Sequence, residues 1–148
     1  MRLIVVGVDG SPAAKAAACE AIELAAATGA SLTVVAAYTT PSVRPGPFFT
    51  VPPQEPADAA AREAAADVLA LAEAAGVDAT AEVIEGSAAS EILHVSELRE
   101  ADLIVVGSRG LGALSSAFVG SVSRGLLSHA HIPVLVVKDR TPVATALP

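Results

Sequence analysis

Four short aliphatic runs, Leu3 to Val8, Leu32 to Tyr38, Leu103 to Val106 and Pro133 to Lys138, together with an alternating stretch from Asp78 to Ile84, recur along the chain with helical segments between them. Runs this short, rich in Val and Ile and bounded by Gly or Asp-Gly, suit strands buried on both faces. Strands that alternate with helices imply an α/β fold built on a single open five-stranded parallel sheet, with helices on both faces and right-handed crossovers. In the strand order 3-2-1-4-5 the winding reverses between strands 1 and 4, and ligands of such sheets bind beyond the carboxyl ends of the strands at that reversal. The order brings Asp9 beside Gly107, almost a hundred residues away in sequence.

The intervening segments carry helix signals. Ser11 caps a first helix with Pro12 in its first position, and Gly29 closes it after Thr28. Its expected buried positions are Ala14, Ala18, Ile22 and Ala25. A second helix runs from Asp58 to Ala75, with Ala60, Ala64, Val68, Leu71 and Ala75 on its inner face, an Asp58/Arg62 pair on the other, and Gly76 as its stop. Ser87 opens a third that runs through Ile92 and Leu98, and a fourth spans Ser121 to His129 with Val122, Leu126 and Leu127 inward. Residues 39–56 hold six prolines and form a long irregular excursion. Residues 1–138 make the expected domain, and 139–148 a mobile tail.

The stretch from Asp102 to Ser123 carries the chemistry. A buried strand ends at Gly107, a glycine-bearing loop follows, and a helix begins near Gly120, where Ser121 and Ser123 offer capping oxygens and the helix dipole favours anions. A Walker loop needs Lys-Ser/Thr at the helix start, but the chain has no lysine between Gly107 and Lys138. The dinucleotide fingerprint fails too, because Gly107, Gly110 and Gly112 are spaced wrongly and lie late in the chain. The pattern is G-x2-G-x9-G-S, formed by Gly107, Gly110, Gly120 and Ser121.

That pattern resembles the ATP-binding branch of the universal stress protein family. Val-Gly-Val-Asp-Gly-Ser near the start, Ala-Asp-Leu-Ile-Val-Val-Gly-Ser-Arg-Gly in the middle, and Gly-Ser-Val-Ser followed by Ile-Pro-Val-Leu-Val-Val-Lys near the end look like the family's signatures in order. The likeness runs from Leu3 to Lys138. It implies a Rossmann-like fold of the adenine nucleotide alpha hydrolase kind, a homodimer, an ATP site with Mg²⁺ held mainly through the phosphates, and a role in stress tolerance. By that similarity Asp9 and the backbone around Ala37 face the adenosine, while Gly107, Gly110, Gly120, Ser121, Val122 and Ser123 hold the phosphates. Arg109 lies in the same loop and pairs with a phosphate, with Asp102 or Asp9, or with solvent. The Pro-rich excursion is where such proteins vary, and its Phe48 and Phe49 are candidates to cover a base or a partner subunit.

Composition narrows what remains. A net charge of −7 argues against sequence-independent nucleic-acid binding, which needs basic surface. Cys19 is the only cysteine, which excludes an internal disulfide, suits a reducing compartment and reads as a small core residue. No run of ~18 apolar residues suggests a membrane span, and the N-terminus reads as a strand with no cleavage site, so a cytoplasmic protein is expected. His94, His129 and His131 have no metal spacing. Gly112, Ser115, Ser116 and Arg124 read as solvated loop or helix positions. The last strand, Val134 to Val137, would stand at a sheet edge without a charge inside it, which invites pairing with a second copy. Three function classes follow: a nucleotide-gated binding module, a slow ATPase or phosphotransferase, and an interaction protein with a vestigial site. The loop holds no glutamine, histidine or carboxylate to orient a water, which favours the first.

Overall fold

A computed structural model of the chain describes residues 1–42, 46–48, 55–109 and 120–139. The elements are β1 (Leu3–Gly7), α1 (Pro12–Thr28), β2 (Ser31–Tyr38), α2 (Ala59–Ala74), β3 (Ala79–Glu85), α3 (Ala88–Leu98), β4 (Leu103–Gly107), α4 (Ser121–His129) and β5 (Val134–Val137). They form one parallel sheet in the order β3-β2-β1-β4-β5. The open five-stranded parallel sheet expected from the alternation, in the order 3-2-1-4-5, is the one observed.

Both faces of the sheet are covered, which explains why the central strands are apolar at nearly every position, Ser31 and the buried Thr33 of β2 being the exceptions. Ile4, Val6, Leu32, Val34, Ala36 and Val105 pack under α1 and α2. The alternate residues Val5, Val35, Ile104 and Val106 point the other way, into a second core with Ile92 and Val95 of α3 and Leu126 of α4. On α1 the expected Ala14, Ala18, Ile22 and Ala25 are all buried, joined by Ala13, Ala17 and Ala21. Gly29 ends the helix in the left-handed conformation, and its N–H donates to the Ala25 carbonyl.

Three side-chain expectations are corrected. The buried stripe of α2 is Ala61, Ala64, Ala65, Val68 and Ala72, while Ala60 and Ala75 are exposed and Leu71 keeps 47% of its surface in solvent. Alanine stands at most positions of this helix, so the sequence scarcely marks which stripe turns inward, and the observed one is rotated by a residue. On α4, Leu127 is exposed and Ser123 is buried beside Leu126, because the Ser123 hydroxyl is held by the end of β4. Cys19 is exposed, one position off the stripe that buries Ala18 and Ile22.

The amino end of the sheet is tied by Asp102. The backbone N–H groups of Arg2 and Leu3 donate to its Oδ2 at 2.6 and 3.0 Å, and its own N–H donates to the Leu3 carbonyl at 2.9 Å. These donors, Arg2 first, hold the carboxyl below its ordinary value of 3.8. A carboxyl lowered in the folded state contributes stability above its unfolded value and loses it as pH falls through the folded one. The stability gap between wild type and Asp102→Asn should therefore be constant from neutrality to about pH 4 and shrink in stronger acid. Urea midpoints measured down to pH 2 test this, and a gap that stays constant would contradict it.

Candidate functional site

Strand lengths create a crevice at the carboxyl end of the sheet. Gly7 is level with Val35, and the last bond across this pair runs from the Val8 N–H to the Val35 carbonyl at 3.0 Å. Beyond that point the chain turns away through Asp9-Gly10-Ser11, while β2 continues against β3 to the Tyr38/Glu85 pair. Main-chain groups of alternate residues in a strand face the same neighbour. The Tyr38 carbonyl accepts from Gly86 on the β3 side at 2.8 Å, so Ala37, like Val35, turns its N–H and C=O toward the space that β1 has vacated. Among the described residues no strand pairs with Ala37 there.

The crevice has a volume of about 300 Å³. Gly7, Val8, Asp9, Ser11 and Ala14 form one wall, and Val35 and Ala37 the floor beside Ala88 and Ile92 of α3. Val106, Gly107 and Arg109 close it from β4, and Gly120 to Ser123 from the start of α4.

Its edges are held by short polar ties. The Asp9 Oδ1 accepts from the Ser11 N–H at 2.9 Å, and Gly10 between them has φ +82°, a turn that suits glycine. Ser11 is 2% exposed; its Oγ accepts from Ala14 N–H at 3.2 Å as the cap of α1 and donates to the Arg109 carbonyl at 3.4 Å. At the other side of the loop the Gly120 N–H donates to the Ser108 carbonyl at 2.6 Å and the Ser123 hydroxyl to the Gly107 carbonyl at 2.7 Å. The Ser108 N–H donates to Val137 of β5 at 2.8 Å.

The helix start differs from expectation. Gly120, not a serine, occupies the N-cap of α4, and no side chain caps it. The Ser123 oxygen is spent on β4. The first-turn N–H groups of α4 therefore have no intrahelical partner and no side-chain cap, at the positive end of the helix dipole.

Of the expected site residues, Asp9, Ala37, Gly107, Arg109, Gly120, Ser121, Val122 and Ser123 all line this crevice. Gly110 lies outside the described residues, as do Gly112, Ser115, Ser116, Phe49 and residues 140–148 of the expected tail. Phe48 is described, is 94% exposed and does not contribute to the lining. An Arg109–Asp102 pair is excluded, because Asp102 sits at the amino end of the sheet and Arg109 beyond the carboxyl end. Sequence reasoning missed the apolar lining of Val35, Ala88 and Ile92, which only strand register and helix placement bring to the crevice. It also saw Ser11 as a helix cap alone. His94 and His129 flank a separate shallow groove between α3 and α4, and among the described residues no group of three His, Cys, Asp or Glu side chains is placed to hold a metal ion.

Comparison with known proteins points in one direction. A family profile described as the universal stress protein family matches residues 1–138. A universal stress protein of Thermus aquaticus is 38% identical over 138 residues, which cover 93% of this chain and 98% of that one. Another from Methanocaldococcus jannaschii is 37% identical over 144 residues, covering 93% of this chain and 82% of that one. Among solved structures, a universal stress protein in complex with cAMP superposes with a TM-score of 0.72 at 27% identity, covering 93% of this chain and 97% of that one. The universal stress protein of Archaeoglobus fulgidus in complex with dAMP gives a TM-score of 0.69 at 22% identity, covering 93% and 98%, a likeness of fold.

Proposed function

The chain belongs to the universal stress protein family, and on that premise we propose that it is an ATP-binding regulatory module of stress tolerance that cleaves its nucleotide slowly or not at all. One observation carries the reading: the two ends of a single crevice offer complementary chemistry. At one end Ala37 presents a main-chain donor and acceptor, the pair an adenine edge requires, beside the apolar surfaces of Val35, Ala88 and Ile92. Asp9 stands near the adenosine. At the other end Gly107, Gly120 and the uncapped first turn of α4 at Ser121, Val122 and Ser123 suit phosphates, with Gly110 and Arg109 on the connecting loop. The cAMP complex of a relative supports an adenine nucleotide as the ligand class. Mg²⁺ fits as a companion of the phosphates, whose charge it shields, since the described residues supply no cluster of their own.

Slow chemistry follows from what the lining lacks. Phosphoryl transfer needs a positioned nucleophile and cations on the developing charge. Asp9 is the one carboxylate among the described lining residues, and it is engaged with the Ser11 N–H. Phosphate release under saturating Mg-ATP should fall at least a hundredfold below the ~1 s⁻¹ at the bottom of the kinase range. Turnover above about 1 s⁻¹, abolished by one substitution in the crevice, would make the protein an ATPase or phosphotransferase instead.

The proposed assembly is a two-fold homodimer through β5. The sheet has two edges, and they differ: β3 carries Glu82 and Glu85, whereas β5 is Val134-Leu135-Val136-Val137, with Leu135 37% exposed. An uncharged apolar edge invites a second strand, and a charged one resists it. Light scattering should give a dimer for the wild type and a monomer for Val136→Lys; a wild type that is monomeric at micromolar concentration would exclude the arrangement. A cytoplasmic setting is consistent with the single exposed thiol of Cys19, and the net charge of −7 with a protein or small-molecule partner in preference to nucleic acid. No helix among the described residues is long and apolar enough to cross a membrane.

A further inference from the structure

Three consecutive carbonyl oxygens stand where β4 opens into the phosphate-side loop, and each accepts a hydrogen bond, two from the start of α4 and one from the start of α1. Gly107 accepts from the Ser123 hydroxyl at 2.7 Å, Ser108 from the Gly120 N–H at 2.6 Å, and Arg109 from the Ser11 hydroxyl at 3.4 Å. Ser11 and Ser123 are 2% and 1% exposed. A buried serine is worth its desolvation only when its hydroxyl is used, and the direction of use here is specific. Both hydroxyls donate to the main chain of one loop junction, from two helices on opposite faces of the sheet.

The arrangement has an electrostatic consequence. Carbonyl oxygens are the negative ends of peptide dipoles, and three of them unopposed at the mouth of an anion site would repel a phosphate. The hydrogen bonds they accept offset that field and fix the junction so that the amides at the start of α4 meet the ligand. We propose that Ser123 and Ser11 are positioning residues for the phosphate chain, acting through the Gly107 and Arg109 carbonyls, without themselves needing to touch the nucleotide. The inference rests on the ATP reading of the crevice, and it assigns the Ser123 side chain a different task from direct phosphate contact.

Calorimetry with ATP and with adenosine separates this role from general support of the fold. Adenosine occupies the Ala37 end and lacks the phosphates. Ser123→Ala should lower ATP affinity at least fivefold and change adenosine affinity less than twofold, and Ser123→Thr, which keeps the donor, should restore ATP affinity to within twofold of wild type. Ser11→Ala should show the same selectivity for ATP together with a lower melting temperature, since it also uncaps α1. Should Ser123→Ala not fold, Ser123→Cys carries the same comparison, because a thiol keeps the size but donates weakly. Equal losses for ATP and adenosine, no loss for either, or failure of Thr to restore ATP binding would overturn the proposal. A folded wild type that binds adenosine and ATP equally would also overturn it, whereas a wild type that binds neither removes the ATP reading on which it stands.

Discussion

Replacing Gly107 with alanine is expected to destabilise the folded chain by about 1–3 kcal/mol, the usual cost of forcing a group into a packed interior. A Cβ at this position would lie 2.6 Å from the Ala13 carbonyl carbon and 2.8 Å from both the Ala13 oxygen and the Ala14 nitrogen. These are backbone atoms of the first turn of α1, and no rotamer change moves them. The turn is also pinned, because Ser11 caps it and the adjoining Ala13, Ala14 and Ala17 are buried against the sheet. Relief would require the start of α1 to lift away from β4, opening both the core and the crevice wall. Gly7 makes a useful control. Its added Cβ would meet the Ile92 side chain, whose tip can rotate, so Gly7→Ala should cost less than Gly107→Ala. For a chain of this size each kcal/mol lowers the melting temperature by roughly 2–4 °C. Urea unfolding of both variants decides the matter, and a Gly107→Ala change below about 0.5 kcal/mol, the range of an ordinary surface substitution, would contradict the close approach.

Gly120→Asp should separate binding from stability by moving them in opposite directions. Gly120 has φ −62° and ψ 163°, extended backbone that any residue adopts, and it is the uncapped N-cap of α4. Aspartate is among the best N-cap residues, although glycine is itself a fair one, so the exchange is worth only about a few tenths of a kcal/mol. The variant should therefore be at least as stable as the wild type. Its carboxylate would accept the same first-turn N–H groups that are assigned to phosphate and would add a negative charge beside them. ATP affinity should fall at least tenfold, which corresponds to about 1.4 kcal/mol. Loss of binding in a destabilised variant would be uninformative about the site; loss in a stabilised one places the phosphates at the helix start.

Much of the fold was legible because both faces of the sheet demand apolar residues. Leu3 to Val8, Leu32 to Tyr38 and Leu103 to Val106 cannot be amphipathic surface elements, and the Ser-Pro and Gly signals around α1 fix its ends. The candidate site was legible at its glycines, since Gly107 is required by the approach of α1 and Gly120 heads α4. What escaped was rotation and register. Alanines crowd α2, so hydrophobicity alone does not tell the Ala61–Ala65–Val68–Ala72 stripe from its neighbour; Cys19 fell on the wrong side of the equally alanine-rich α1 for the same reason, and Leu127 because the Ser123 hydroxyl bonds to Gly107 and turns α4. Ala37 was singled out by resemblance, but its open main-chain edge depends on where β1 stops against β2. The hydroxyl bonds of Ser11 and Ser123 join positions 98 and 16 residues apart, and no local pattern announces a partner at that distance.

Calorimetric titration of Mg-ATP into the wild-type protein and into Gly120→Asp tests the central claim most directly. The account predicts saturable binding of one ATP per wild-type chain and affinity at least tenfold lower in a Gly120→Asp protein of equal or greater stability. A folded wild type that binds no ATP, or a Gly120→Asp variant that binds it as tightly as the wild type, would contradict the assignment of the crevice.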